Sequence, residues 1–284
     1  MCIIIGKYFK DYGWIGIKHR DRNYVPTITF KKKTYNDVEV LYFTDTLTQW
    51  CEGTNSYGVS ILSASLMVSD DEKEYKTCSE NKPSKTGKKI KKILKYSNLE
   101  KVVEEAIKEK LTGNTIIFDQ NRMFLLEGAW KPGEYVTQGF FFKVEEISQD
   151  TTVVRTNHGI WLSGTGYQHH DNLKNRISSE LRLIYSQLIA DRALEPFDLL
   201  DKLVQKFETD GQLNPFRIAQ DDTEMRTTSQ MLTIPMNRTM YIRHVVGDVK
   251  YDHKKLNQID SQVWVELLNN RNVLGQKTVF SPDF

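Results

Sequence analysis

The sequence predicts an α+β fold in which antiparallel sheets and helices are segregated. Three observations carry this. The elements run strands, helix, strands, helices, strands. No β-α-β alternation of the kind that builds a doubly wound parallel sheet occurs. Runs of β-branched and aromatic residues recur in pairs around short turn signals, as hairpins do. The chain has 284 residues, 39% apolar and 27% charged, enough for one sizeable core.

The N-terminal third reads as strands. CIIIGKYF and WIGIKH flank the turn DYG, and TITFKKKTY and VEVLYF flank YND. EGTNSYG is a turn feeding the buried strand VSILSASLMV. Composition then shifts over residues 69–95, where KPSKTGKKIKKILK holds seven lysines in fourteen residues. This stretch is expected to be a solvated insertion in a single domain spanning 1–284, with an anion-attracting patch as the functional reading. In SNLEKVVEEAIKEKLTG, Ser97 and Glu100 have capping-box spacing and the apolar residues share one helical face. TIIFDQNRMFLLEG reads as a hairpin around DQN, and GFFFKVEEISQDTTVVRTNHG as another around SQD. Two helices follow. Leu173, Ile177, Leu181, Ile184 and Leu188 mark the apolar face of the first. In the second, Pro196 fits the first turn and Leu199, Leu200, Leu203, Val204 and Phe207 form the face. TTSQMLTIPMNRTMYIRHV closes as a hairpin turning at PMN.

A formal charge of +2 gives no reason to expect nucleic acid or membrane as partner. No apolar run approaches the ~20 residues of a membrane span, and CIII is too short for a signal-peptide core. Three cysteines at unrelated spacings give neither a disulfide framework nor a zinc pattern. A reducing, cytoplasmic compartment is therefore expected. His169 and His170 have no third ligand in view, so neither metal nor cofactor is expected. A homo-oligomer is left open.

Chemistry enters at the second residue. Removal of Met1, usual before a small residue, would leave Cys2 carrying its own base. An α-amino group has a pKa of ~7.7–8.0, well below that of lysine. It can take the thiol proton and return it to a leaving amine. GIKHRDRN sets Lys18, Arg20 and Asp21 at the end of the second strand, across the hairpin from Cys2. A cation there would acidify the thiol, and a carboxylate could hold the new ammonium. RTNHG ends an apolar strand with Asn157, whose amide could donate to an oxyanion. His158 permits a Cys–His arrangement or a structural role. Trp161, Tyr167 and Phe140–Phe142 could line an acyl pocket or pack in the core. A protease built on Cys51 or Cys78 lacks any nucleophile turn.

Together MCIII…HRDR, EGTNSYGVSI, TTVVRTNHG and the SSELR helix resemble the amidase and acyltransferase branch of the N-terminal-nucleophile hydrolases. That branch holds the choloylglycine hydrolases, penicillin V acylases and isopenicillin N acyltransferase-like proteins. The start is also similar to the NRDE proteins. The resemblance runs in order from residue 1 to about residue 245. It implies a four-layer αββα sandwich of two antiparallel sheets. It implies Cys2 as nucleophile, Asp21 as the second-strand carboxylate, and Asn157 in the oxyanion hole. The usual arginine three residues before that aspartate is Lys18 here, and Arg20 holds the NRDE-like position. Arg182, with Arg176 second, matches a functional arginine on a late helix. Asn55 lies in the G-x-N-x-x-G turn, Ser65 or a neighbour replaces a second asparagine, and Thr228 and Ser229 fall near the site. The implied activity is hydrolysis or acyl transfer at a linear non-peptide amide of a small N-acyl substrate, through a Cys2 thioester. The NRDE likeness implies the alternative, a binding or trafficking module without hydrolase activity.

Overall fold

A computed structural model describes residues 2–24, 26, 28–46, 48–66, 85–130, 140–162, 164–166, 173–204, 213–217 and 225–244. The small sheet has the order β10-β1-β2-β11-β12, and the large sheet runs β3 to β9 in chain order. The small-sheet strands are β1 (Cys2–Phe9), β2 (Gly13–Arg22), β10 (Val153–Arg155), β11 (Arg226–Ile234) and β12 (Thr239–His244). Those of the large sheet are β3 (Ile28–Tyr35), β4 (Val38–Asp45), β5 (Cys51–Asn55), β6 (Ser60–Ala64), β7 (Gly113–Phe118), β8 (Met123–Trp130) and β9 (Phe140–Ile147). Every pairing is antiparallel. Helices α1 (Lys85–Ile93), α2 (Leu99–Lys108), α3 (Leu173–Arg192) and α4 (Pro196–Lys202), with a short 3-10 helix at Pro235–Asn237, complete the described elements.

Three apolar clusters define four layers. Between the sheets lie Cys2, Ile4 and Trp14 from one side and Phe43, Leu62, Ile116, Phe118 and Leu125 from the other. Outside the large sheet, Val40, Tyr42, Ile61 and Ile117 pack against Ile90, Ile93 and Leu94 of the α1 region and Val102 and Ala106 of α2. Outside the small sheet, Ile3, Ile5, Ile15 and Ile17 pack against Ile189 and Ala190 of α3 and Leu199 and Leu200 of α4. The continuous apolar run CIII is thus a strand buried on both faces, its side chains alternating between two cores. This is the expected αββα sandwich.

Several local expectations change. SQD is not the turn of a hairpin: β9 pairs with β8 in the large sheet, while β10 pairs with β1 in the small one. The bend at 148–152 therefore carries the chain from one sheet to the other, which puts Asn157 beside Cys2. Asn98, not Ser97, caps α2, its side chain accepting from the Lys101 amide at 2.9 Å. Of the insertion expected at 69–95, residues 69–84 lie outside the described residues. Residues 85–93 are the helix α1, and Ile90, Ile93 and Leu94 are fully buried while Lys88 and Lys92 are exposed. The turn in EGTNSYG begins after Asn55, because CEGTN is itself strand β5. Phe207 lies outside the described residues.

The largest reversal concerns α3. Its apolar stripe faces solvent: Leu173 is 65% exposed, Ile177 40%, Ile184 48% and Leu188 44%. The buried face instead carries Ser178, Ser179, Arg182, Ser186, Ile189 and Ala190. Polar groups that bond to the strands beneath it decide the helix's orientation, and these bonds are described below. No helix among the described residues is long and apolar enough to cross a membrane.

The role of α1 as core is testable at Gly87. Glycine to alanine in a helix ordinarily gains about 1 kcal/mol. Here an added Cβ runs into the backbone carbonyl of Gln49 and lies 3.2 Å from the amide nitrogen of Cys51. Gly87→Ala should therefore lower stability, by roughly 1–3 kcal/mol as overpacking does, seen as a lower denaturant midpoint.

Candidate active site

The site grows from the open end of the β1–β2 hairpin. Cys2 is the first residue of β1 and stands opposite Arg20, in the register that runs to Phe9 opposite Gly13. Side chains of a strand alternate between faces. Lys18, Arg20 and Arg22 therefore enter the space between the sheets, the side of the Cys2 sulfur. His19 and Asp21 point to the helical layer.

On the inner face, Glu52 of β5 gathers two of the cations. Its Oε2 accepts from Arg20 Nη2 at 2.8 Å and its Oε1 contacts Lys18 Nζ, with Trp50 Nε1 also donating to Oε1. Lys18 donates as well to the Ser63 carbonyl. The third cation serves the thiol: Arg22 Nη1 lies 4.0 Å from Cys2 Sγ. Arg22 is held in turn by Asp45 at 3.7 Å, and Asp45 accepts from Tyr24 at 2.6 Å and Thr48 at 2.9 Å.

The Cys2 thiol is only 3% exposed. Burial pushes its pKa up, but Lys18 and Arg22 outweigh this and hold it at about 6. Burial also pushes the Lys18 ammonium well below its ordinary range. Arg22 behaves differently: although burial opposes its charge, the thiolate, Tyr24 and Asp45 hold its pKa above the usual value. Arg22 is the dependable counter-charge of the sulfur.

On the helical side, Asp21 Oδ2 meets Arg182 Nη2 of α3 at 2.6 Å, and Asp21 Oδ1 accepts from Thr227 Oγ1 at 2.8 Å. Burial raises the Asp21 carboxyl, yet Arg182, the chain's amino terminus, Arg217 and the Thr227 bond bring it below its usual range. Arg182 also donates to the carbonyls of Asn214 and Pro215, both at 3.1 Å. Thr227 reaches Asp21 because β11 is irregular here: Thr227 stands opposite Asp21 and Ser229 opposite Arg20, leaving Thr228 as the extra residue of a bulge. Thr228 Oγ1 then donates to the Arg20 carbonyl at 3.2 Å.

Asn157 closes the site from the β10 side. Its Oδ1 accepts from the backbone nitrogen of Cys2 at 2.5 Å, and its Nδ2 donates to the Ser65 carbonyl at 2.6 Å. One Nδ2 hydrogen is thus engaged and a second remains. Its own amide donates to Ser179 Oγ of α3 at 3.2 Å. The backbone around Asn157 is fastened from the large sheet by a cross-strand pair, Asn114 of β7 and Glu127 of β8. Asn114 donates to the carbonyls of Thr156 at 3.0 Å and His158 at 3.1 Å. The buried Glu127 carboxylate accepts the amides of Ile160, Trp161 and Leu162 at 3.0, 3.1 and 2.6 Å.

Of the residues singled out in the sequence, Cys2, Lys18, Arg20, Asp21, Asn157 and Arg182 converge here, Ser65 through its carbonyl and Thr228 through its hydroxyl. Ser229 pairs with Arg20 in the ladder. Trp161 packs at the edge of the inter-sheet core between Lys143, 4.5 Å from its ring, and Arg155 at 5.2 Å. Asn55 does not belong to the site. Alternation along β5 turns it to the outer face, where its Nδ2 donates to the Leu94 and Tyr96 carbonyls and its Oδ1 accepts the Tyr57 and Val59 amides. It holds a turn to α1. His158 is no partner for the thiol either: its Nδ1 is shared between Thr156 Oγ1 at 3.0 Å and Ser179 Oγ at 2.9 Å, and burial lowers its pKa. Arg176 is half-exposed and pairs with Glu180. Cys51 is buried in the outer core, which pushes its thiol up to about 12. Cys78, Tyr167, His169 and His170 lie outside the described residues. Among the described residues, no three His, Cys, Asp or Glu side chains group as metal ligands would.

Arg22, Glu52, Asp45, Thr227, Asn114 and Glu127 were not singled out in the sequence. For Arg22 the signal existed, because Lys18, Arg20 and Arg22 occupy alternate positions of one strand. The others become neighbours only through sheet pairing and sheet stacking.

No protein-family model and no curated protein matches the sequence. Among solved structures, the chain is similar to the penicillin V acylase from Agrobacterium tumefaciens. That likeness has 7% identity and a TM-score of 0.45, covering 87% of this chain and 84% of that one. It is also similar to a mutant conjugated bile acid hydrolase from Clostridium perfringens, at 12% identity and a TM-score of 0.48, covering 87% and 90%.

The role of Arg22 can be read from thiolate absorbance near 240 nm, corrected with Cys2→Ser. The protein should ionise with a midpoint near pH 6. Arg22→Gln removes a cation that favours the thiolate, so the midpoint should rise by roughly 1–3 pH units. An unmoved midpoint would show that Arg22 does not set the acidity.

Proposed function

We propose that the chain is an N-terminal cysteine amidohydrolase or acyltransferase acting on linear non-peptide amides of small N-acyl substrates. The observation that carries this is the setting of Cys2: its sulfur faces a guanidinium while its own nitrogen donates to Asn157. The motif resemblance supports the substrate class, and the surroundings of Cys2 support its role as nucleophile.

Removal of Met1 converts that backbone nitrogen into an α-amine on the carbon next to the thiol-bearing one. With the thiol near 6 and the amine near ~8, the resting pair at neutral pH is thiolate and ammonium. The thiolate attacks the substrate carbonyl carbon and forms the S–C bond, and the electron pair of the C=O moves to oxygen. The free hydrogen on Asn157 Nδ2 is our candidate donor to that oxyanion. Collapse breaks the C–N bond, and the departing nitrogen takes a proton from the Cys2 ammonium. The thioester is then attacked by water or by a second amine, whose proton returns to the α-amine as the C–S bond breaks. Asp21 serves as the fixed negative charge beside the ammonium, held in place by Arg182 and Thr227. Trp161 and the half-buried Phe141 are candidates to meet the acyl group, whereas Phe140 lies on the outer face of the large sheet, beside Gly128 and Leu111. No step calls for a metal or an organic cofactor, and an acidic thiol suits a reducing, cytoplasmic setting.

Intact mass spectrometry of the purified chain, before and after exposure to a panel of N-acyl amides, tests the reading. The expected results are loss of Met1, an added acyl mass on Cys2, and disappearance of that adduct in Cys2→Ala with folding preserved. A retained Met1 would overturn the reading. So would unchanged cellular function of Cys2→Ala, which would favour a binding module of NRDE type.

A further inference from the structure

The outward stripe of α3 has no role in the site. Leu173, Ile177, Leu181, Ile184 and Leu188 lie on one side of the helix, within an arc of about 80° at 3.6 residues per turn. Four of the five are at least 40% exposed. The stripe is about 22 Å long at 1.5 Å per residue. Beside it run two i,i+4 polar pairs, Arg176 with Glu180 at 3.0 Å and Gln187 with Asp191 at 2.8 Å. An apolar strip with a polar rim is the usual make-up of a protein–protein contact. It is not the packing face of the fold, since α3 binds the small sheet through its opposite side.

We propose that this face is a two-fold interface on which a second copy of the chain seats its own α3, antiparallel. The choice of occupant comes from the spacing. A symmetric dimer contact must be complementary to itself. Read backwards, the outer positions of the stripe repeat: Leu173 falls opposite Leu188 and Ile177 opposite Ile184, with Leu181 beside the axis. Leucine thus meets leucine at both ends, and isoleucine meets isoleucine inside them. An antiparallel helix pair with these contacts buries all ten side chains of the two stripes and leaves the Arg176–Glu180 and Gln187–Asp191 pairs flanking it. The interface does not depend on the reaction proposed above.

Sedimentation equilibrium on the full chain, with its pair of substitutions, is the first test. The chain should sediment at twice its mass. Ile177→Glu with Ile184→Glu, placed on exposed positions, should weaken association by about 100-fold or more, as burying charge at the centre of a contact does, while circular dichroism and thermal midpoint stay close to the parent. Cysteine cross-linking then tests the geometry and needs no loss of folding. Leu181→Cys should couple to itself under mild oxidation. Leu173→Cys alone should not, but should couple when mixed with Leu188→Cys. A monomer at roughly 50 µM, where a contact of micromolar Kd would persist, overturns the proposal, whether the stripe is then covered by residues 245–284 or by another protein. So does a dimer indifferent to the glutamates, or coupling of Leu173→Cys with itself.

Discussion

Three cations of one strand, Lys18, Arg20 and Arg22, enter a space from which water is largely excluded, and the rest of the site answers that fact. Burying a charge costs several kcal/mol unless it is paired and hydrogen-bonded. Glu52 answers Lys18 and Arg20, Asp45 answers Arg22, and the sulfur of Cys2 stands as the remaining acceptor near them. On the other face of the same strand the sign reverses: Asp21 is the buried anion and Arg182 its partner. The thiol's pKa falls below its usual value because Lys18 and Arg22, which the fold holds beside it, outweigh the effect of its burial. Each carboxylate comes from a different part of the fold from the cation it meets, so pairing the charges also ties β2 to β4 and β5 and to α3.

Features decided within a few residues of one another were open to sequence reasoning. The β1–β2 hairpin, the β7–β8 hairpin around DQN and the Pro235 turn follow from local chemistry, and the structure has them all. Cys2, Asp21 and Asn157 were legible because each sits at a strand end within a short motif. What failed did so for tertiary reasons. SQD looks like any hairpin turn, and only the competition between two sheets for the next strand sends β10 to β1. The α1 lysines hid three buried residues, since a helix with one narrow apolar side and charge elsewhere resembles a solvated run by composition. Asn55 was misplaced because a motif fixes position along the chain, whereas the face of a strand is fixed by its register.

Helix α3 departs furthest from its sequence pattern. Helical periodicity marks an apolar face and assumes that this face packs on its own domain. In α3 the assumption loses to a set of specific polar bonds. Ser179 Oγ meets the Asn157 amide and His158, and Arg182 meets Asp21. Turning the apolar stripe inward would place Arg182 in solvent and leave Asp21 buried without it. Breaking such a buried pair costs of the order of 3–5 kcal/mol.

Lys7 gives the arrangement a further property. From the outward face of β1 its Nζ donates to the carbonyls of Ala190 at 2.6 Å and Ala193 at 2.8 Å, where α3 ends. Strand and helix are therefore stitched at two places, by this ammonium at one end and by the Asn157, Ser179 and Arg182 bonds at the other. The two stitches stand about 17 Å apart along five residues of strand. A rigid bar pinned at both ends cannot slide, so slack introduced at the Lys7 pin would travel along α3 and reappear as lost alignment at the sulfur.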